Sequence, residues 1–254
     1  MAIRWTETRQ QDVLETGLCR NLHRVRVAHI LEQVAAAKRT VGRPLRILDV
    51  GCGDGVITKR LREAFPDETI EGVDADSVRL ERARAACPGV SFRLEDAGTL
   101  PYETGAFDVV LCHHVMEHVE DDRRLLKECH RVLAAGGLLV LGIPHEGGAI
   151  GRVLRTLHRK MYAEGEHVRF YTISAMRQAI TDQGFTGVAC AKFGLLFPQY
   201  HLHLLLTWFS PTFALGHWIS QRCGATADSL IFSARKGAPV PAQAGLAVAR
   251  TGDG

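Results

Sequence analysis

The chain has 254 residues, of which 46% are hydrophobic and 23% charged, a balance that allows a buried core without disulfide or metal staples. The formal net charge of +3 is too small to indicate nucleic-acid binding by itself. The seven cysteines occur singly and form no CxxC pair, which argues against a disulfide framework or a structural zinc site. The polar N-terminus, MAIRWTETRQQD, does not predict a signal peptide, so we expect a cytoplasmic protein.

The first predicted element is a helix at 9–38, where apolar residues recur at roughly helical spacing. Short apolar runs and amphipathic stretches then alternate, which is typical of βαβ units and a parallel sheet covered by helices on both faces. The predicted strands lie at 46–50, 69–73, 90–94, 107–112 and 137–143, and the helices between them at 56–64, 77–86 and 121–133.

The last third of the chain completes the predicted sheet. A helix at 171–185 can be capped by Thr172 or Ser174 and ended by Gly184. Two further strands are predicted, at about 187–193 and 229–235.

The glycine-rich turn after the first predicted strand is the most specific motif. The run RILDVGCGDGVITKRL places Gly51, Gly53 and Gly55 at alternate positions between a strand and a helix. Such a turn lets backbone N–H groups approach a ligand closely, although tight turns also use glycine for steric reasons alone. The GxGxG spacing departs from the GxGxxG pattern of dinucleotide sites, and Asp49 and Asp54 make the turn electronegative. We therefore expect a ligand that carries positive charge and no phosphate.

Two further carboxylates follow the next two strands. Asp74 ends the second strand, about twenty residues past the glycines, where an acid can accept hydrogen bonds from both ribose hydroxyls. It could instead assist a helix cap formed by Asp76 or Ser77. Asp96 follows the third strand, where it could accept from the exocyclic amine of adenine or belong to a surface loop.

With these motifs, the chain resembles a class I S-adenosylmethionine-dependent methyltransferase. The resemblance rests on ILDVGCGDG, EGVDADSVRLERAR and the run from RLEDAGTLPYETGAFDVVLCHHVMEHVEDD to LAAGGLLVLGIPH, in the order and spacing of that family. The similar subgroup includes ubiquinone and menaquinone methyltransferases and many sugar and natural-product methyltransferases. The resemblance implies an α/β, Rossmann-like fold with a seven-stranded, mostly parallel sheet whose last strand is antiparallel.

The resemblance also implies a set of contacts with S-adenosylmethionine. Asp49 and the glycines would bind the methionine part, with Asp49 reaching its ammonium directly or through water. Asp74 would bind the ribose and Asp96 the adenine. The complete predicted cofactor-binding set is Asp49, Gly51, Cys52, Gly53, Asp74, Ala75, Asp96, Ala97 and His113.

A histidine cluster, CHHVMEHVEDD, begins at the end of the fourth strand, where ligands bind in open α/β sheets. His114, Glu117 and His118 share one face of a helical turn. They could brace the local helix, or a histidine could be the general base for methylation of a hydroxyl. The same three residues could instead bind a divalent metal softer than Mg²⁺, which prefers oxygen ligands; we do not favour that alternative. His145 and His167 are further candidates for the site.

Residues 193–221 contain no Asp, Glu, Lys or Arg. This stretch could be a lid over an apolar substrate, a subunit interface, a peripheral contact with a membrane, or part of the core. We predict three parts of the chain: a helical cap at 1–45, a methyltransferase domain at 46–236 with an apolar insertion at about 194–224, and a disordered tail at 237–254.

The function that we expect is methylation of a small or lipid-like acceptor, at oxygen because histidines crowd the site. Methylation at carbon or nitrogen, in a quinone, sugar or natural-product pathway, is the alternative. A nicotinamide-dependent oxidoreductase and a non-catalytic scaffold that binds S-adenosylmethionine are the rival classes. We expect no nucleic-acid partner, because neither a basic groove nor an added RNA-binding domain is evident.

Overall fold

The computed structural model describes residues 20–157, 168–194, 209–223 and 226–237, and strands alternate with helices as the sequence predicts. The strands are β1 Arg46–Val50, β2 Thr69–Asp74, β3 Ser91–Leu94, β4 Phe107–His113, β5 Leu133–Pro144, β6 Phe185–Phe193 and β7 Ser229–Lys236. The helices are α1 Arg20–Val41, α2 Val56–Ala64, α3 Ser77–Ala86, α4 Asp122–Val132, α5 Ala149–Leu157, α6 Ile173–Asp182 and α7 Ser210–Arg222. A short 3₁₀ helix, Met116–His118, follows β4.

The seven strands form one sheet in the order β3-β2-β1-β4-β5-β7-β6. Strands β1 to β5 pair in parallel, and β7 runs antiparallel between β5 and β6. The predicted fold is therefore confirmed. The strand order reverses between β1 and β4, so the crevice above the carboxyl ends of these two strands is the expected ligand site.

Helices cover both faces of the sheet because the strands bury apolar side chains on both sides. One face packs against α4 and α6, with Leu126 and Ile180 fully in the core. The other packs against α1, α2 and α7, with Ile30, Leu61 and Phe213 in one cluster. Each fully buried side chain of this size stabilises the fold by about 1.5–3 kcal/mol relative to an exposed one.

Local signals set the helix ends that the sequence predicts. Asp76 caps α3, because its side chain accepts from the backbone N–H groups of Val78 and Arg79. Thr172 caps α6 by accepting from the N–H of Ala175 at 3.2 Å, and Gly184 follows its end with φ of 87°. The predicted helix at 9–38 differs at its end: α1 continues to Val41, and its first predicted residues, 9–19, lie outside the described residues.

Most of the described part of the uncharged stretch lies in α7, and the rest is Phe193, Gly194 and Phe209. This helix turns Phe213, Gly216 and Ser220 inward, whereas Leu215 and Trp218 are 60% and 53% exposed. His167, the remaining insertion residues at 195–208 and the predicted tail beyond residue 237 lie outside the described residues. Within the described ranges, every helix is too short or too polar to cross a membrane. The division of the chain at residue 45 stays a prediction.

Candidate cofactor cavity and active site

A cavity of about 650 Å³ opens above the carboxyl ends of β1, β2 and β4, within the size range of small-molecule sites. Five residues of the predicted cofactor-binding set line it, namely Gly51, Asp74, Ala75, Asp96 and Ala97. Two predicted catalytic residues, His114 and His118, line the same cavity. The structure thus brings predicted cofactor-binding residues and predicted catalytic residues together around one cavity. The other predicted site residues, Asp49, Cys52, Gly53, His113 and Glu117, lie outside this lining.

The glycine turn has the backbone conformation that its sequence predicts. Gly51, Gly53 and Gly55 have φ angles of 70°, 56° and 77°, a region that strongly favours glycine. At Gly51 there is also no room for a side chain: an added Cβ would lie 3.0 Å from Val115 Cγ1 and closer still to Cγ2. Val115 therefore packs directly on the backbone of the turn, and the two together form one wall of the cavity.

Asp74 joins the glycine turn to the turn after β2. One carboxylate oxygen accepts from Gly53 N–H at 2.8 Å, and the other accepts from Asp76 N–H at 3.0 Å. The cap of α3 is Asp76, and Asp74 assists it by holding the Asp76 N–H. Each carboxylate oxygen can accept more than one hydrogen bond, so Asp74 can also accept from hydroxyl groups of a ligand in the cavity.

Asp49 lies beneath the turn and is 3% exposed. Burial raises the pKa of its carboxyl to about 7, against the lowering effect of a 2.6 Å hydrogen bond from Thr58 Oγ1, and nearby Asp74 raises it further. The carboxyl is therefore partly protonated near neutral pH, and a cation brought close to it would favour its ionised form.

The turn is less electronegative than the sequence suggests. Asp54 is buried, and Arg79 and Arg82 approach its carboxylate to 3.6 and 3.8 Å. Its charge is therefore compensated from α3, and the raised pKa of Asp49 removes part of the second charge. The two acids therefore make the turn less electronegative than expected, because burial and arginine pairing cannot be judged from residue types alone.

Asp96 is exposed at the rim of the cavity. Its carboxylate accepts from Gly98 N–H at 2.6 Å, which closes a tight turn after β3. Arg124 braces this turn, because its Nε donates to the carbonyl of Gly98 at 2.7 Å. Val115, Arg79 and Arg124 also line the cavity and are not among the predicted site residues; only Val115 has a local signal, its place beside His114.

His113 packs away from the cavity lining. Its ring lies over Gly142 of β5, where a Cβ would overlap it, and burial lowers the pKa of the ring well below its usual value, with further lowering by His114 and Arg26. Alternation along β4 points the His113 side chain to the α1 face of the sheet, so the ring is outside the cavity lining, and its cofactor contact stays a prediction. His145 is also buried, with Nδ1 3.2 Å from the carbonyl oxygen of Ala227.

His114 is held by two side chains. Its Nε2 lies 2.8 Å from Arg26 Nη1, and its Nδ1 lies 2.8 Å from Glu117 Oε1. Because a guanidinium can only donate, Nε2 is the acceptor, and Nδ1 carries the proton that is donated to Glu117. Glu117 is fully buried. In the described part of the chain, no three His, Cys, Asp or Glu side chains are grouped so as to hold a metal ion, and this includes the alternative set His114, Glu117 and His118.

Comparisons with known proteins agree with this geometry. Residues 48–141 match the family described as "Methyltransferase domain". The chain is 36% identical over 176 residues to a ubiquinone biosynthesis O-methyltransferase from Chelativorans sp. strain BNC1, covering 60% of this chain and 68% of the relative. The chain belongs to the class I S-adenosylmethionine-dependent methyltransferases, and S-adenosylmethionine is the cofactor of this family. Because the chain belongs to this family, the alternative of a nicotinamide-dependent oxidoreductase is set aside.

Two further similar proteins cover different shares of this chain. A solved S-adenosylmethionine-dependent methyltransferase from Mesorhizobium loti is 26% identical and superposes with a TM-score of 0.55, covering 76% of this chain and 91% of that one. An uncharacterised 37.1 kDa protein of transposon TN4556 from Streptomyces fradiae is 39% identical over 101 residues, which cover 38% of this chain. The match spans 29% of the length of that Streptomyces protein.

Proposed function

We propose that this chain transfers the methyl group of S-adenosylmethionine to an oxygen atom of a small or lipid-like acceptor. One observation carries the proposal: His118 lines the same cavity as the carboxylates Asp74 and Asp96, so a proton acceptor stands beside the predicted cofactor site. S-adenosylmethionine supplies a methyl group on a positively charged sulfur, which leaves as a neutral thioether.

The residues around the cavity fit this cofactor. Asp74 would accept from the ribose hydroxyls, and Asp96 would accept from the adenine amine. Gly51 would let the backbone approach the methionine part, because it lines the cavity without a side chain. Asp49 would ionise when the ammonium group of the methionine part approaches, directly or through water.

His118 is the general base in this proposal. Methylation of a hydroxyl requires removal of its proton, and an imidazole is suited to accept it near neutral pH. His114 is the less suitable of the two predicted bases, because its Nε2 already accepts from Arg26 and its Nδ1 already carries a proton. Holding the acceptor in line with the methyl group and excluding water would supply much of the remaining rate enhancement.

An apolar acceptor is supported by the outer surface of α7. Leu215 and Trp218 are exposed on this helix, and the guanidinium of Arg222 lies 3.9 Å from the centre of the Trp218 ring. Exposed aromatic and aliphatic side chains beside a basic group suit peripheral contact with a membrane. Co-sedimentation with phosphatidylcholine–phosphatidylglycerol vesicles tests this membrane contact. Trp218→Ser should reduce the fraction of protein bound to vesicles, and equal binding of the parent protein and the variant would refute the contact.

Cytoplasmic location stays a prediction.

The test of the acceptor atom uses methyl-labelled S-adenosylmethionine and a panel of phenols, apolar alcohols, amines and activated carbon acids. We expect label on oxygen, and we expect His118→Asn to lower kcat by about 10²–10⁴-fold while cofactor affinity is kept. Label on nitrogen or carbon would support the alternative reactions. Cofactor binding without turnover of any compound would favour the scaffold.

A further inference from the structure

The guanidinium of Arg26 connects α1 to the loop after β4. Arg26 is 7% exposed, and its Nη1 lies 2.8 Å from His114 Nε2 and 3.4 Å from Ser229 Oγ at the start of β7. A buried cation on the first described helix thus reaches an imidazole that lines the cofactor cavity, 88 residues further along the chain.

His114 has an unusual backbone conformation. Its φ is 57°, the only positive value at a non-glycine residue in the described part of the chain. A side chain in this region is strained, and such strain persists only where surrounding contacts hold it. Two of these contacts are the hydrogen bonds of the ring to Arg26 and Glu117, and the third is the hydrogen bond from the backbone N–H of His114 to the carbonyl of Gly142 at 2.9 Å.

Glu117 fixes the other side of the ring. Its side chain is fully buried, and its backbone carbonyl accepts from Val168 N–H at 2.8 Å. Because a buried carboxylate is costly without donors, the Nδ1–H of His114 is directed to Glu117, and Arg26 must then meet Nε2. Hydrogen bonds are therefore donated in one direction along these three side chains, from Arg26 to His114 and from His114 to Glu117.

The residue after His114 is Val115, the side chain that packs on Gly51. The backbone conformation of His114 determines where Val115 points. A change at His114 would therefore move the wall that Val115 and Gly51 form in the cofactor cavity.

We propose that Arg26 is a positioning residue for cofactor binding: it holds His114 in its left-handed conformation and so keeps Val115 against the glycine turn. Docking of α1 is thereby coupled to the shape of the S-adenosylmethionine site. The inference rests on the proposed function only in requiring that this cavity takes S-adenosylmethionine, and it does not depend on the acceptor.

The experiment is a binding cycle measured by calorimetric titration of S-adenosylmethionine. Arg26→Met keeps most of the apolar stem and removes the donors, and we expect it to raise Kd about tenfold. Arg26→Lys, which keeps a donor, should recover part of the affinity. Arg24→Met is the matched control, because Arg24 lies on the same helix and is exposed.

A second arm separates positioning from a general structural role. If Arg26 acts through His114, Arg26→Met should change Kd by less than about twofold when it is added to His114→Gly. The ¹⁵N shifts of the His114 ring should report a protonated Nδ1 in the parent protein and a mixture of tautomers in Arg26→Met. Circular dichroism at the titration temperature confirms that each variant is folded.

Three results would overturn the proposal: an unchanged Kd in Arg26→Met, an equal loss of affinity in the His114→Gly background, or a protonated Nε2 in the parent protein. Failure of the parent protein to bind S-adenosylmethionine is a different outcome, because it would refute cofactor binding itself rather than the role of Arg26.

Discussion

Replacement of Gly51 by alanine should destabilise the protein and impair the cofactor site, for two separable reasons. The residue has φ of 70°, which costs an alanine about 1–2 kcal/mol. The new methyl group would also overlap the side chain of Val115, and overpacking of this kind costs typically about 1–3 kcal/mol. We therefore expect Gly51→Ala to lower the free energy of unfolding by about 2–5 kcal/mol.

Two further variants separate these contributions. Gly89 has φ of 82°, but an added Cβ there would meet nothing within 4 Å, so Gly89→Ala reports the conformational cost alone. Val115→Ala makes room for the methyl group at position 51. The double variant Gly51→Ala/Val115→Ala should therefore be about 1–3 kcal/mol more stable than the sum of the two single losses predicts.

Urea denaturation followed by circular dichroism measures these free energies, and titration of S-adenosylmethionine into the folded variants measures the effect on the site. A loss in Gly51→Ala no larger than that in Gly89→Ala would show that the overlap is absorbed without cost. Strict additivity in the double variant would refute direct packing of Val115 on the turn.

Four other variants test the acids of the site and one of their hydrogen-bond donors. Between pH about 4 and about 7, the native protein binds more protons at Asp49 than the unfolded chain does. The contribution of Asp49 to the free energy of unfolding should therefore fall as pH rises through that window. Asp49→Asn should abolish this pH dependence when denaturation is measured at a series of pH values. Thr58→Val removes the donor to Asp49 and should cost about 1.5–3 kcal/mol at pH 8 and less at pH 5; an equal loss at both would contradict an ionised acceptor. Asp74→Ala should weaken S-adenosylmethionine binding at least about tenfold, or about 1.4 kcal/mol, whereas Asp76→Ala should cost about 1 kcal/mol of stability through its lost cap and leave the affinity unchanged.

Local patterns were sufficient for much of the fold. The apolar runs at β1 and β4 and the amphipathic stretch at α4 are each visible within ten or so residues, because periodicity is a property of neighbouring side chains. β5 begins at Leu133 rather than at the predicted residue 137, because Gly136 has φ of 73° and the strand pairs with β4 across a register shift. A bulge of this kind depends on the neighbouring strand and leaves little local signal.

The sequence by itself determined the family, the sheet and the places of Asp74 and Asp96, because glycines and carboxylates at strand ends are fixed by chain order and spacing. Only the tertiary structure decided which charges act in the site. Arg79 and Arg82 compensate Asp54, burial raises the pKa of Asp49, and Arg26 reaches His114 across 88 residues of chain. Electrostatic effects depend on distance and on exclusion of water, and neither quantity can be computed from the order of residues before the chain is folded.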